Sequence, residues 1–141
     1  MTPNFTLEEF TRSQTATRRG IDNTPSEVIK LNILRVAYRL ELVRMVIERP
    51  ITITSGYRCL ELNKRIGGAK NSAHMQGLAV DFVVNGMTPE QIIAAVKGIV
   101  PYFKIINEFD EWVHLAISET TNGTHLIAER INGSTQYTNV T

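Results

Sequence analysis

The sequence has few of the features that mark disulfide-rich, nucleic-acid-binding or membrane-spanning proteins. It contains one cysteine, Cys59, which has no partner for an intramolecular disulfide. Fifteen basic residues face fourteen acidic ones, so the formal net charge is only +1. Because no basic run is present either, we expect no nucleic-acid partner. No apolar run approaches the ~20 residues that would cross a bilayer, so we expect no membrane span.

Length and composition favour one globular domain. The 141 residues predict a single domain over residues 1–141, and 43% of them are hydrophobic, which is enough for a core. The N-terminus lacks the basic and apolar regions of a secretory signal. We therefore expect synthesis in the cytoplasm without a signal peptide, and a monomer as the default state.

Three capping motifs predict the starts of helices, and they are Thr6-Leu7-Glu8-Glu9, Thr24-Pro25-Ser26-Glu27 and Thr88-Pro89-Glu90-Gln91. The second motif places Pro25 at the first helical position of a long helix that ends before Pro50. This helix carries two apolar stripes, which predict broad burial. The first stripe is Val28, Leu31, Leu34, Tyr38, Leu42 and Met45. The second is Ile29, Ile33, Val36, Leu40, Val43 and Ile47. The last helix should turn Ile92, Ala95, Val96 and Ile99 inward.

Strand patterns dominate the rest of the chain. Apolar or β-branched runs cover residues 51–54, 78–84, 103–109 and 112–117, and Asp110-Glu111 predicts a tight hairpin between the last two. Two further runs flank Asn132-Gly133, a strong hairpin signal. Because helices come first and mostly antiparallel strands later, the predicted fold class is α+β, a small antiparallel sheet packed against helices.

Three residues suggest a metal site. Asp81 lies inside an apolar strand, where an unpaired carboxylate would cost several kcal/mol. His74 precedes it by seven residues in a glycine-flanked loop, and His114 lies in another apolar strand. Two imidazoles and one carboxylate are a typical ligand set of catalytic zinc, with the fourth position left for water. On spacing alone, the alternative of hydrogen-bonded structural residues stands beside this one.

The sequence around these residues resembles that of a known family. Residues 72–81 read Ser-Ala-His-Met-Gln-Gly-Leu-Ala-Val-Asp and match S-x-H-x-x-G-x-A-x-D, the signature of zinc D-alanyl-D-alanine carboxypeptidases and L-alanyl-D-glutamate endopeptidases of bacterial peptidoglycan. The similarity runs roughly from residue 4 to 117 and includes Ile53-Thr-Ser-Gly-Tyr-Arg58, Asn63, Gly67-Gly68, Glu108-Phe109 and Trp112-Val-His114. The opening segment resembles that of small, phage-type members. The resemblance implies the fold that these enzymes share with hedgehog signalling domains.

The same resemblance implies His74, Asp81 and His114 as ligands of Zn2+. It also implies an acidic general base either three or six residues before the last histidine, and the chain offers both Glu111 and Glu108. In an ideal strand a residue three steps from His114 points to the opposite face, which disfavours Glu111. Glu108 lies across the hairpin and would share the face of His114 after a bulge or a three-residue loop. We therefore prefer Glu108 and leave Glu111 open.

Three other side chains are candidates for substrate binding. Arg58 follows a strand in a glycine-containing loop, where its guanidinium could clamp a peptide carboxylate, and the resemblance implies the same role. A surface salt bridge is its alternative. Ser72 is a candidate for orienting a metal ligand or touching substrate, and Gln76 for donating to the oxyanion, with loop solvation as the alternative.

The sequence thus predicts a zinc metallopeptidase that hydrolyses an amide bond in the peptide stem of peptidoglycan. Its phage-type resemblance suggests an endolysin acting at the bacterial cell wall, with a virion-attached enzyme as a variant that shares the chemistry. The competing class is a metal-containing binding domain of the same fold that no longer turns over. The presence of Arg58 and of an acidic residue before His114 argues against that alternative.

Overall fold

Six strands form one sheet, with helices packed against it, in a computed structural model that describes residues 1–120 and 123–140. The helices are α1 (Leu7–Thr11), α2 (Gln14–Arg19), α3 (Glu27–Ile47), α4 (Leu60–Arg65) and α5 (Pro89–Val96), with a 3-10 turn at Ala73–Gln76. The strands are β1 (Thr52–Ser55), β2 (Ala79–Val83), β3 (Lys104–Glu108), β4 (Trp112–Ala116), β5 (Thr124–Ile131) and β6 (Ser134–Asn139). The predicted α+β class is confirmed. No helix in these two ranges has both the length and the apolarity needed to cross a membrane.

The strand order is β1-β2-β4-β3-β5-β6. The pairs β1·β2, β2·β4, β3·β4 and β5·β6 are antiparallel, as predicted, whereas β3 and β5 pair in parallel. One parallel pair among five agrees with the expectation of mostly antiparallel strands. It arises because β2 and β3 already occupy both edges of β4, so the strand after β4 joins the free edge of β3.

Helix α3 buries one face rather than most of its surface, so the prediction of broad burial is wrong. Its buried residues belong mainly to the second apolar stripe and are Ile33, Val36, Ala37, Leu40, Val43 and Ile47. The first stripe is largely solvent-exposed, at Val28, Leu31, Tyr38, Leu42 and Met45. A helix lying on one side of a sheet covers only one face, and apolar residues on two stripes cannot reveal which face that is.

The capping motifs place two of the three helix starts correctly. Complete capping boxes at Thr6 and Thr88 open α1 and α5. Helix α3 instead begins after Ser26, whose hydroxyl accepts from the Ile29 amide, so Pro25 precedes the cap. Because α5 ends at Val96, Ile99 lies beyond it and is exposed, contrary to prediction. The short helix α2 has no counterpart among the elements predicted from the sequence.

Both hairpin turns that the sequence predicts are present. Residues 109–111 form a three-residue loop between β3 and β4, with Phe109 and Asp110 in the left-handed region at φ 59° and 58°. The tight hairpin expected here is present, and its loop has the three-residue length that places Glu108 on the face of His114. The second hairpin turns at Asn132-Gly133, as predicted.

The two faces of the sheet have different roles. Val80 and Phe82 of β2, Val113 and Leu115 of β4 and Ile105 of β3 are fully buried in the main core with α3 and α5. Their alternating neighbours point to the other face. That second face carries Asp81, His114 and Glu108, because Asp81 pairs with His114, His114 with Ile106, and Glu108 follows Ile106 by two residues.

Candidate metal centre

His74, Asp81 and His114 meet on the second face of the sheet. Asp81 of β2 and His114 of β4 are direct cross-strand partners, and the 3-10 turn places His74 beside them. Asp81 Oδ1 lies 3.3 Å from His74 Nε2 and 2.9 Å from His114 Nδ1. One ligand atom from each residue lies within 4.8 Å of the others. The structure therefore brings together all three residues that the sequence pattern indicates.

The backbone fixes the orientation of His74. Its Nδ1 lies 2.7 Å from the carbonyl oxygen of Gly56, at the end of β1, and the residue is only 2% exposed. A carbonyl can only accept, so Nδ1 carries the proton and donates it, leaving the Nε2 lone pair free for a ligand bond. Gly56 itself packs against the backbone of Phe10, and only glycine fits there, because a Cβ would lie 2.7 Å from Cα of Phe10.

The carboxylate of Asp81 stays ionised in this site. Burial by itself would raise its pKa, but the charge and hydrogen bonds of His74 and His114 outweigh burial and hold the pKa well below its usual range. An ionised carboxylate oxygen beside two imidazole nitrogens is a suitable ligand for a divalent cation.

The donor set and its spacing fit zinc. Tetrahedral bonds of about 2.1 Å place ligand atoms about 3.4 Å apart, close to the separation of His74 Nε2 from Asp81 Oδ1. Three protein ligands with one open position characterise catalytic rather than structural zinc sites. The carbonyl that orients His74 supplies the outer support that such ligands need.

The two candidate bases, Glu108 and Glu111, lie in different surroundings. Glu108 lies opposite Trp112 across the three-residue loop and shares the face of His114. Burial raises the pKa of its carboxyl, the charge of His114 lowers it and that of Asp81 raises it, with a net upward shift. Glu111 is exposed in the loop and lines a different cavity, on the side of α5. The geometry thus supports Glu108.

Arg58 lies next to the three metal-site residues and is tethered at two points. Its backbone amide donates to the carbonyl of His74 at 3.1 Å, and its Nη2 donates to Ser72 Oγ at 3.3 Å. Its Nε is buried and has no hydrogen-bond partner in the part of the chain that the structure describes. Burial lowers the pKa of Arg58, while the charge of Asp81 raises it. A partly buried guanidinium held by Ser72 is suited to an incoming carboxylate.

Ser72 and Gln76 differ in how they relate to the centre. Besides accepting from Arg58, Ser72 Oγ accepts from the backbone amide of His74 at 3.2 Å and so caps the turn that carries this histidine. Gln76 is exposed, and its backbone carbonyl accepts from Asn32 Nδ2. The structure places Ser72 against both functional residues and shows no comparable tie for the Gln76 side chain within residues 1–120 and 123–140.

Two residues that position the site are not predicted from the sequence. Asn23 bridges the arginine loop, since its Nδ2 donates to the carbonyls of Thr11 and Tyr57 and its Oδ1 accepts from the Cys59 amide. Gly56 supplies the carbonyl that orients His74. Both act through long-range contacts, and the only signal in the sequence is their place in segments that resemble the family.

The comparison with known proteins agrees with this site. The sequence profile described as Peptidase M15 matches residues 3–116, which include every candidate residue above. This chain belongs to the peptidase M15 family. The match, with the metal group of the structure, confirms two predictions from the sequence, a hydrolase of the zinc metallopeptidase class and Zn2+ as its cofactor.

A curated relative of this M15 domain is the zinc D-Ala-D-Ala carboxypeptidase of Streptomyces albus G. It is 33% identical over 79 residues, which are 55% of this chain. The aligned region covers only 30% of that relative's own length. Substrate and physiological role therefore do not transfer with the alignment and are argued below.

Proposed function

We propose that this M15 domain hydrolyses an amide bond in the peptide stem of bacterial peptidoglycan, as a D-Ala-D-Ala carboxypeptidase or an L-Ala-D-Glu endopeptidase. The observation that carries the proposal is the convergence of His74, Asp81 and His114 with Glu108 on one open face, next to Arg58. The similarity to the zinc D-Ala-D-Ala carboxypeptidase of Streptomyces albus G supports the substrate class.

Each side chain has a separate task in the proposed reaction. His74 Nε2, Asp81 Oδ1 and His114 Nδ1 would hold Zn2+, which would supply Lewis-acid activation of water and of the scissile carbonyl. Glu108 removes a proton from the attacking water and delivers it to the departing nitrogen as the amide bond breaks. Its upward-shifted pKa suits a group that must both accept and return a proton.

Arg58 holds the substrate in the proposed complex. Its Nη groups pair with a carboxylate of the stem peptide. Ser72 keeps the guanidinium in place and also caps the turn of His74, so one hydroxyl sets the position of substrate and metal together. Gln76 remains a proposed donor to the oxyanion.

The proposed setting is the bacterial cell wall during phage or prophage lysis, with the enzyme working as a monomer. The resemblance of the opening segment to phage-type members supports this setting, and a virion-attached enzyme would use the same residues. As an L-Ala-D-Glu endopeptidase the enzyme would be bacteriolytic in either setting, because cutting that bond detaches stem peptides and weakens the wall, whereas removal of a terminal D-Ala leaves the cross-links intact.

Digestion of isolated peptidoglycan tests the proposal. Purified protein is incubated with walls of several stem chemotypes, with added Zn2+ or with a chelator, and released fragments are identified by mass spectrometry. New N-terminal D-Glu would identify the endopeptidase, and loss of terminal D-Ala the carboxypeptidase. The E108Q protein is the matched control and should release neither. If no chemotype yields a zinc-dependent product, the silent binding domain becomes the better interpretation.

A further inference from the structure

The face that carries the metal site continues beyond Glu108 into the C-terminal hairpin. Glu108 of β3 pairs with Ala128 of β5, and Ala128 pairs with Tyr137 of β6. Paired residues on neighbouring strands point to the same side of a sheet. Tyr137 therefore stands on the same face as Glu108, in the row that begins at Trp112 on β4.

The residue between Glu108 and Tyr137 is small. Ala128 carries only a methyl group and is fully buried, so larger neighbouring side chains must lean over it. The Cα atoms of Glu108 and Tyr137 lie two strand spacings apart, about 10 Å. Two long side chains that lean toward each other can span much of this distance. Tyr137 is 56% exposed, so its ring remains open to a ligand.

Electrostatics agree with this placement. Partial burial raises the pKa of the Tyr137 phenol, and the negative charges of Glu108 and Asp81 raise it further. The phenol thus lies within the field of both carboxylates. It stays protonated at neutral pH and can donate a hydrogen bond.

Arg58 and Tyr137 lie at opposite ends of this face. Arg58 follows β1, at one edge of the sheet, and Tyr137 lies on β6, at the other edge. The metal-site residues on β2 and β4 and Glu108 on β3 lie between them. A peptide that crosses the strands, with a carboxylate on Arg58 and its scissile bond above the centre, would extend toward Tyr137.

We propose that the Tyr137 hydroxyl donates a hydrogen bond to a backbone carbonyl of the stem peptide, on the side of the scissile bond away from Arg58. Tyr137 is then a substrate-binding residue contributed by the β5-β6 hairpin, which lies outside the residues matched by the family profile. The inference rests on the proposed function and adds the direction in which the substrate lies on the sheet.

The first test compares Y137F with Y38F. Tyr38 lies on α3 and is 57% exposed, so Y38F removes an equally exposed hydroxyl away from the site. With zinc-loaded protein and a synthetic stem pentapeptide ending in D-Ala-D-Ala, Y137F should lower kcat/KM about fivefold, mainly through KM. Zinc content and melting temperature should not change. If Y137F stays within twofold of both the wild type and Y38F, the assignment is overturned.

A second measurement keeps this test independent of turnover. Calorimetric titration of zinc-loaded E108Q protein with the same pentapeptide should show about fivefold weaker binding when Y137F is added. Equal binding by E108Q and the double variant, or binding by neither, would overturn the role of Tyr137. Absence of cleavage by the wild type would instead refute the proposed function, and the titration would still decide the role of Tyr137.

Discussion

Replacing Gly56 by alanine should damage the metal centre through the backbone, without touching a ligand. The new methyl group would lie 2.7 Å from Cα and 2.9 Å from the carbonyl carbon of Phe10, so the end of β1 must shift. Overpacking of this kind costs about 1–3 kcal/mol. In a chain of this size each kcal/mol lowers the melting temperature by roughly 3–4 °C, so we expect a loss of about 3–12 °C.

The second effect of Gly56→Ala concerns zinc. The shift moves the carbonyl that holds His74 Nδ1, and loss of such outer support typically weakens metal binding by roughly 10–100-fold. Zinc affinity is measured by competition with a chromophoric chelator, and stability by thermal unfolding of the metal-free protein.

Gly20→Ala is the matched control for this experiment. Gly20 adopts φ +65° at the end of α2, and an added methyl would meet nothing within 4 Å. This variant should lose stability through backbone strain and keep its zinc affinity. If Gly56→Ala binds zinc as tightly as Gly20→Ala does, the role assigned to the Gly56 carbonyl is refuted.

The remaining predictions concern side chains of the site. H74A and H114A should each abolish stoichiometric zinc binding, measured by metal analysis after dialysis; retained zinc in both would exclude them as ligands. E108Q should keep its zinc and lose turnover, whereas E111Q should keep both; the reverse result would make Glu111 the base. In the metal-free protein, burial raises the pKa of Glu108 above its value in the unfolded chain. The folded protein therefore loses stability as pH rises and the buried carboxyl ionises. E108Q should therefore melt higher than wild type at neutral pH and equally at acidic pH, and a constant difference across pH would contradict this. R58K should raise KM for a substrate with a free carboxylate while leaving zinc bound, because lysine cannot form the two-pronged contact; an unchanged KM would remove Arg58 from the binding site.

The metal-site residues can be predicted from the sequence because their chemistry is local and costly. An aspartate in a buried strand needs a partner, and only three histidines are available in the whole chain. The residue pattern therefore indicates His74, Asp81 and His114 as candidates, and the resemblance to the family favours metal ligands over hydrogen-bonded structural residues. The choice between Glu108 and Glu111 is different, because it depends on the three-residue length of the hairpin loop, which the pattern leaves open.

Helix starts and turns are also predictable where they depend on local contacts. The packing of helices and strands against one another is not predictable in this way. Capping hydroxyls at Thr6 and Thr88 and the Asn132-Gly133 turn act on neighbours within a few residues. The buried face of α3, in contrast, depends on which side meets the sheet, and both sides are apolar. The parallel pairing of β5 with β3 depends on which sheet edge is free, and this exists only after the other strands have assembled.

Positioning residues are the hardest to predict. Asn23 and Gly56 act on segments more than ten residues away along the chain, and neither carries a reactive group. Tyr137 reaches the site only through a row of three strands. Such roles follow from strand order and register, which residue patterns do not specify.

Titration of activity with zinc tests the central claim most directly. Metal-free protein receives increasing Zn2+, and hydrolysis of peptidoglycan is followed by release of new amino groups. We predict activity that rises in proportion to zinc and stops at one ion per chain, with the same endpoint for H125A, whose histidine lies outside the metal group. Activity that does not depend on zinc would contradict the account. So would an H114A protein, which lacks one proposed ligand, that still gains full activity when zinc is added.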